Sequence, residues 1–128
     1  MRDKIILDAS VILALLNMEQ GHEVVSKHLE NAIVSSLNFS EVVTVLARQG
    51  FGQEKIIRSL KETFLHIEEF NTEQAVIAAL LDEVTKVYGL SLGDRACLAL
   101  AKYKGLPVLT ADKMWKDLNL NIEIQLIR

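Results

Sequence analysis

Cysteine, long apolar runs and excess positive charge are all scarce in this sequence of 128 residues. The single cysteine, Cys97, excludes an intramolecular disulfide and makes a cytoplasmic location the default. The longest wholly apolar run, residues 11–16, is far too short to span a bilayer, so we expect no membrane partner. The net charge of −3 excludes a basic surface spread over the whole protein. Any nucleic-acid binding would therefore need Lys and Arg side chains placed locally around a cleft.

The composition is that of a globular protein, with 50% apolar and 24% charged residues. Residues 1–4 lead directly into an apolar strand without the features of a signal peptide, so we expect none. The length suits one domain, residues 1–128, with a substantial core. The mean hydropathy of +0.23 is high for so small a domain. A well-filled core and an apolar surface kept for a partner or a second copy explain this value equally well.

Short apolar or alternating runs predict strands along the chain, and i, i+3, i+4 spacings predict helices between them. The predicted strands are residues 4–8, 32–35, 64–69, 107–110 and 122–126. The predicted helices are residues 11–17, 22–30, 38–49, 53–63, 72–88, 91–103 and 114–118. One face of the helix at 72–88 carries Ala75, Val76, Ala79, Leu80, Val84 and Val87. The alternation predicts an α/β fold, with a mostly parallel five-stranded sheet and helices on both faces.

Four acidic residues lie near points where a predicted strand gives way to a helix: Asp8, Glu41, Asp94 and Asp112. Right-handed crossovers place the carboxyl ends of parallel strands at one edge, so we expect these carboxylates to converge there. Each acid taken singly could instead cap a helix. Ser91 and Asp94 have the spacing of a capping box, and Asn38 and Glu41 resemble one. The joint pattern favours a shared cleft, because a charge that ends a buried strand needs a reason.

A cluster of carboxylates requires a cation or protonation. Two carboxylates ~4 Å apart repel by about 4 kcal/mol at an effective dielectric of about 20. Oxygen ligands without His or Cys point to Mg²⁺ or Mn²⁺, which leaves coordination places for water and a phosphate oxygen. Ser10 and Thr110 could orient such a site, and Arg95, Lys113 and Lys116 could contact phosphates. Ordinary hydroxyls and solvated surface charges are the alternatives for these five residues.

The acids lie in four segments, residues 8–16, 40–43, 89–101 and 109–112. These segments resemble PIN-domain ribonucleases, and in particular the VapC-like toxins of bacterial toxin–antitoxin pairs. By this resemblance, Asp8, Glu41, Asp94 and Asp112 match the four acidic positions of the family, and Thr110 matches a frequent hydroxyl position. The resemblance implies a parallel sheet flanked by helices, Mg²⁺ or Mn²⁺ as cofactor, and endonucleolytic cleavage of RNA. It also implies a homodimer and an antitoxin partner whose C-terminal segment occupies the cleft.

The sequence therefore predicts a metal-dependent endoribonuclease. Asp8 and Asp94 are expected to be the principal metal ligands, while Glu41 and Asp112 bind a second ion or orient the attacking water. A PIN-domain nuclease of RNA processing and a non-catalytic module with an acidic cleft are the alternatives. A receiver-like phospho-acceptor domain fits poorly, because such a domain has adjacent acids after its first strand and Ala9 follows Asp8 here.

Overall fold

The computed structural model describes residues 3–64 and 66–128. The strands are β1 (Ile5–Leu7), β2 (Ala32–Ser35), β3 (Ile67–Glu68), β4 (Val108–Thr110) and β5 (Ile124–Leu126). The α-helices are α1 (Ala9–Leu16), α2 (His22–Ser26), α3 (Ser36–Arg48), α4 (Gln53–Thr63), α5 (Thr72–Thr85) and α6 (Leu92–Lys104). Two 3-10 turns follow α5 and β4, at Lys86–Tyr88 and Lys113–Asp117.

The five strands form one sheet in the order β3-β2-β1-β4-β5, and every pairing in it is parallel. The predicted α/β class, with a five-stranded sheet, is confirmed. From β1 the chain builds outward through β2 and β3, and it then crosses back so that β4 lies on the other side of β1. The strand order thus reverses at the carboxyl ends of β1 and β4, which is where open α/β sheets bind ligands.

Helices cover both faces of the sheet and enclose two apolar clusters. Ile5 and Leu7 of β1 contribute to the cluster that includes α1, α3 and α4, whereas Ile6 contributes to the cluster that includes α5 and α6. Successive side chains of a strand point to opposite faces, so a central strand covered on both sides is apolar throughout. The carboxyl end of β1 is therefore held firmly between two packed layers.

Several elements are shorter than the sequence predicts, among them α2, β3 and β5. Helix α2 ends at Ser26 rather than at residue 30, because the chain turns there to bring Asn31 beside β1. The backbone carbonyl of Asn31 accepts a hydrogen bond of 3.1 Å from Ile5 N, and its side-chain Nδ2 donates one of 2.6 Å to Asp3 O. Strand β3 is confined to Ile67–Glu68 and β5 to Ile124–Leu126. Leu65, within the third predicted strand, lies outside the described residues.

The apolar face of α5 lies on the outside of the protein. Val76, Leu80, Val84 and Val87 are each more than half exposed, whereas the buried positions of α5 are Gln74, Ala78, Leu81 and Thr85. The helix at 72–88 is α-helical only to Thr85 and continues as a 3-10 turn. The high mean hydropathy thus reflects an apolar surface as well as a core. In the part of the chain that the structure describes, no helix is long and apolar enough to cross a membrane.

Candidate metal site and active site

Asp8 is the centre of the candidate site. It follows β1 directly, is only 4% exposed and caps α1, with Oδ1 accepting a hydrogen bond of 3.2 Å from Val11 N. Ser10 Oγ donates to Oδ1 at 2.6 Å, and Thr110 Oγ1 donates to Oδ2 at 2.7 Å. Both carboxylate oxygens are therefore held by neutral donors. The donors to Oδ1 belong to α1, and the donor to Oδ2 lies at the end of β4.

Burial raises the pKa of Asp8 to about 6. The hydrogen bonds from Ser10, Thr110 and Val11 act in the opposite direction, and the negative charge of Asp94 raises the pKa further. When Asp8 is ionised, its negative charge is buried beside another negative charge, and its hydrogen-bond donors are neutral. No positive charge among these groups compensates it. The site therefore favours a cation or, in its absence, a proton.

Ser10 and Thr110 also join β1 to the loop that carries Asp112. Ser10 Oγ accepts a hydrogen bond of 3.1 Å from Ala111 N, and Thr110 Oγ1 accepts one of 3.1 Å from Asp112 N. Asp112 caps the following 3-10 turn, with Oδ1 accepting from Met114 N at 3.0 Å. The predicted capping function of Asp112 is confirmed, and Thr110 links the backbone of Asp112 to the carboxylate of Asp8.

Glu41 lies within α3 and not in a capping box with Asn38, which corrects that interpretation. The helix begins at Ser36 and is capped by Ser35, so Asn38 and Glu41 are both helical residues. The buried Asn38 amide donates 2.8 Å to Glu41 Oε1 and 3.0 Å to Gly93 O on α6. The start of α3 is thereby tied to the start of α6.

Asp94 lies in the first turn of α6, where the predicted capping box with Ser91 is confirmed. Asp94 N donates to Ser91 Oγ at 3.2 Å, and Ser91 N donates to Asp94 Oδ2 at 2.9 Å. The box fixes Asp94 at the end of the helix that leads into the core. Because the box uses only Oδ2, the capping function of Asp94 is compatible with a function as ligand.

The buried thiol of Cys97 shows which acids the fold brings together. Burial raises the pKa of this thiol well above its usual range, and the negative charges of Asp8, Asp94 and Glu41 raise it further. The charges of three carboxylates, which lie after β1, in α6 and in α3, therefore act on this one buried thiol. Asp112 is connected to Asp8 through the Thr110 hydroxyl, which donates to Asp8 Oδ2 and accepts from Asp112 N.

The carboxylates form an open arrangement. Within residues 3–64 and 66–128, no three His, Cys, Asp or Glu side chains are grouped so as to hold a metal ion between them. Mg²⁺ does not require such a cage, since it commonly binds through one or two carboxylates and keeps several waters. Carboxylate oxygens are ligands that suit a hard divalent cation. Such a cation would also supply the positive charge that the surroundings of Asp8 do not provide.

The three basic residues predicted to contact phosphates lie in different settings. Lys113 and Lys116 are exposed on the turn that follows Asp112. Arg95 faces α5 instead, where its Nη1 donates 2.9 Å to Ala78 O and its Nε lies 3.8 Å from Asp82 Oδ1. A phosphate contact from Arg95 would require it to leave these partners.

Two residues of the site were missed by sequence reasoning, Asn38 and Gly93. Asn38 was interpreted as a cap, although a short amide three residues before an acid in a helix can also hold that acid. Gly93 lies inside the first turn of α6, immediately before Asp94. A glycine within a helix is unfavourable by about 1 kcal/mol relative to alanine, which is a signal of close packing there.

The protein is a parallel α/β domain whose acidic residues lie near the point where the strand order reverses. The chain matches the PIN domain family over residues 5–120 and belongs to it.

Several known proteins are similar to this chain. Ribonuclease VapC42 of Mycobacterium tuberculosis is 29% identical over 117 residues, which cover 81% of this chain and 87% of that protein. The DNA-bound VapBC structure from Salmonella typhimurium has a TM-score of 0.75 at 16% identity and covers 99% of this chain and 100% of that one. A toxin–antitoxin complex from Klebsiella pneumoniae has a TM-score of 0.72 at 20% identity, with 98% of each chain covered. These two structures establish the likeness of fold.

Proposed function

We propose that this protein is an endoribonuclease dependent on Mg²⁺ or Mn²⁺ and the toxin of a toxin–antitoxin pair. The observation that carries the proposal is the Asp8 carboxylate, buried at the switch point among neutral donors and beside Asp94. Membership of the PIN domain family and the similarity to ribonuclease VapC42 support RNA as the substrate. The similarity to toxin–antitoxin complexes supports an antitoxin partner.

In this proposal, Asp8 and Asp94 hold the metal ion, and Glu41 and Asp112 bind a second ion or orient the attacking water. A bound Mg²⁺ or Mn²⁺ supplies activation of water and charge stabilisation at the phosphate. Ser10 and Thr110 keep the Asp8 carboxylate in one orientation through their hydrogen bonds. Lys113 and Lys116 contact backbone phosphates of the RNA, since they are exposed beside the acids.

A calorimetric titration with Mn²⁺ tests the metal site and separates it from a non-catalytic cleft. A nuclease site takes up Mn²⁺ in stoichiometric amounts, whereas a cleft that only receives a basic protein segment does not. Asp8→Asn is expected to abolish this uptake because it removes the negative charge. Asp3→Asn is the matched control, since Asp3 precedes β1 at the opposite edge of the sheet. Equal uptake by the wild type and Asp8→Asn would contradict the assignment.

Cleavage of RNA by Asp94→Asn tests the nuclease activity itself. Asparagine retains a side-chain oxygen for the capping bond from Ser91 N, so we expect the variant to fold. Its cleavage in the presence of Mg²⁺ is expected to be abolished, because a principal ligand has lost its charge. Gel-based cleavage of a mixed RNA pool, with circular dichroism to confirm folding, measures both. Full activity of a folded Asp94→Asn protein would overturn the function of Asp94 as ligand.

The toxin function is distinguished from RNA processing by expression in a bacterial host. We expect growth arrest on induction, relieved when the product of an adjacent small gene is co-expressed. A nuclease of RNA processing would not require such a partner. Harmless expression of a protein that cleaves RNA in vitro would favour the RNA-processing alternative and leave the nuclease assignment intact.

The outward face of α5 supports the proposed homodimer. Val76, Leu80 and Val84 form an apolar stripe on this helix that Val87 continues in the 3-10 turn, and large exposed apolar patches commonly mark protein interfaces. Sedimentation of the protein alone should show a dimer that Leu80→Asp converts to a monomer. Phe51→Asp, at another exposed apolar residue, is the control and should remain dimeric. A wild type that is monomeric at high concentration would exclude the dimer.

A further inference from the structure

A buried amide hydrogen-bonds across the contact between the first turns of α3 and α6. Asn38 is 1% exposed, and its Nδ2 donates to Glu41 Oε1 at 2.8 Å and to Gly93 O at 3.0 Å. Gly93 O is the carbonyl of the peptide bond that leads into Asp94. A single side chain therefore connects the carboxylate of one candidate ligand to the backbone that carries another.

The chemistry of the two acceptors determines the orientation of the Asn38 amide. Both partners are oxygens that only accept, so the NH₂ group must face them and supplies one hydrogen to each. The amide is neutral, so it orients the Glu41 carboxylate without cancelling its charge. A lysine or arginine at this position would provide the cation internally and weaken the attraction for a metal ion. The arrangement leaves the negative charge of Glu41 available to the site.

Gly93 supplies the space that the Glu41 carboxylate occupies. A Cβ atom at Gly93 would collide with Oε1, Oε2 and Cδ of Glu41. Gly93 is buried and helical, so its lack of a side chain is not explained by backbone conformation. The glycine lets α6 approach α3 closely enough for the carboxylate to lie against its first turn. Asn38 and Gly93 thus confine the same carboxylate, one by hydrogen bonding and the other by clearance.

We propose that Asn38 and Gly93 are positioning residues that fix the Glu41 carboxylate beside the start of α6. This inference deepens the proposed nuclease function, and it rests on that function only where metal binding is concerned. The position of the carboxylate is a property of the protein alone. It can therefore be tested in the absence of metal, RNA or activity.

The first test replaces Asn38 by leucine, which has the same number and branching of side-chain heavy atoms but donates no hydrogen bond. Crystals grown without metal should show the Glu41 carboxylate displaced from the start of α6. Mn²⁺ affinity, measured by calorimetry, should fall by about tenfold, as is usual when a group that orients a ligand is removed. Gln74→Leu is the matched control, because Gln74 is a buried amide that donates to the backbone carbonyl of Glu69 and not to a candidate ligand. It should lower the Tm without changing Mn²⁺ affinity.

The second test uses the Gly93→Ala variant and then repeats both substitutions, Asn38→Leu and Gly93→Ala, in a Glu41→Gln background. Alanine favours a helix over glycine, so a merely structural effect would preserve or raise the Tm and leave Mn²⁺ affinity unchanged. We expect Gly93→Ala to displace Glu41 and lower Mn²⁺ affinity by about tenfold. In the Glu41→Gln background, neither Asn38→Leu nor Gly93→Ala should lower the affinity further, since both act through the same carboxylate.

The outcomes separate this inference from the proposed function. An unmoved Glu41 carboxylate in crystals of Asn38→Leu and Gly93→Ala would overturn the positioning function, whatever the metal titration shows. Additive losses of Mn²⁺ affinity in the double variants would overturn it as well. A wild type that takes up no Mn²⁺ would instead sink the proposed metal site, while the crystals would still decide what holds Glu41.

Discussion

Two acidic residues of this protein, Asp8 and Glu68, have opposite surroundings. Glu68 Oε1 lies 3.0 Å from His66 Nε2 and 3.2 Å from Lys104 Nζ. The hydrogen bond from His66 lowers the pKa of Glu68, and the contacts with Lys104 add to this effect. Among the described residues, the donors to Asp8 are two hydroxyls and a backbone N–H, and burial raises its pKa to about 6. The described part of the chain thus supplies basic groups to the partly exposed acid and neutral donors to the buried one.

The difference between the two acids indicates where the protein needs an external charge. An acid with a structural function is commonly balanced by a cation of the same chain, as Glu68 is. Asp8 is held by groups that orient it without neutralising it, and the negative charge of Asp94 raises its pKa further. Such an environment is unfavourable for folding, and perturbed groups of this kind cluster at functional sites. The following four predictions test this comparison.

The largest expected effect is on cleavage of RNA. Asp8→Asn should reduce the rate by about a thousandfold or more, because a metal ligand contributes several kcal/mol to the transition state. Glu68→Gln should leave the rate unchanged, since its basic partners keep it out of the site. Single-turnover kinetics with Mg²⁺ measures both variants. Similar losses in the two variants would mean that Asp8 has no special function.

The stability of the metal-free protein should depend on Asp8 and pH. The folded protein holds the Asp8 proton more tightly than the unfolded chain, with a pKa of about 6 against 3.8. The contribution of Asp8 to stability is therefore greatest below the unfolded value and falls as the pH rises towards the folded one, by up to about 3 kcal/mol. Asp8→Asn should remove this fall and be more stable than the wild type at about pH 8.

Urea unfolding at a series of pH values, with chelator present, measures this effect. Glu68→Gln is the control and should retain the fall. Added Mn²⁺ should stabilise the wild type and not Asp8→Asn, because a ligand that binds only the folded state raises its stability. A stability difference between the wild type and Asp8→Asn that stays constant between about pH 4 and pH 6 would contradict the raised pKa of Asp8.

The hydroxyl partners of Asp8 should have an intermediate effect. Thr110→Val removes the donor to Asp8 Oδ2 and should weaken Mn²⁺ binding by about tenfold. Thr85→Val is the matched control, because Thr85 is also fully buried but donates to Leu81 O within α5. It should leave Mn²⁺ affinity unchanged. If both variants lose affinity equally, the effect is one of general stability and not of orientation.

The smallest effect is expected for Glu68. Its lowered pKa contributes stability above the unfolded value of 4.5, and this contribution is lost as the pH falls. Glu68→Gln should cost less than about 1 kcal/mol at neutral pH, because the pairs with His66 and Lys104 are partly exposed. Thermal unfolding measures the difference. A larger loss would show that this surface cluster holds β3 in place.

Much of the fold could be predicted because it depends on local patterns. The alternation of strands and helices, the parallel sheet and the capping box of Ser91 and Asp94 were all predicted and are observed. These features depend on residues close together in sequence. The predicted extent of β3, residues 64–69, is wrong, because the strand comprises only Ile67–Glu68. An edge strand ends where its partner, here β2, ceases to pair with it. No local pattern reports where that pairing stops.

The outward face of α5 shows a second limit of sequence reasoning. An apolar stripe in a helix is ordinarily assigned to the core. Here the core face contains Gln74 and Thr85, whose Nε2 and Oγ1 donate to backbone carbonyls, and the apolar stripe is exposed. Periodicity identifies the stripe but not what covers it.

By itself, the sequence determined the class of fold, the four acids and their placement near strand-to-helix junctions. Only the tertiary structure decided how they are held. Thr110 reaches Asp8 across 102 positions and Asn38 reaches Gly93 across 55, and no local pattern encodes contacts between such distant residues. Burial also belongs to the assembled fold, and it is burial that raises the pKa of Asp8. A carboxylate is specified by its residue, but its need for a cation depends on the layers packed around it.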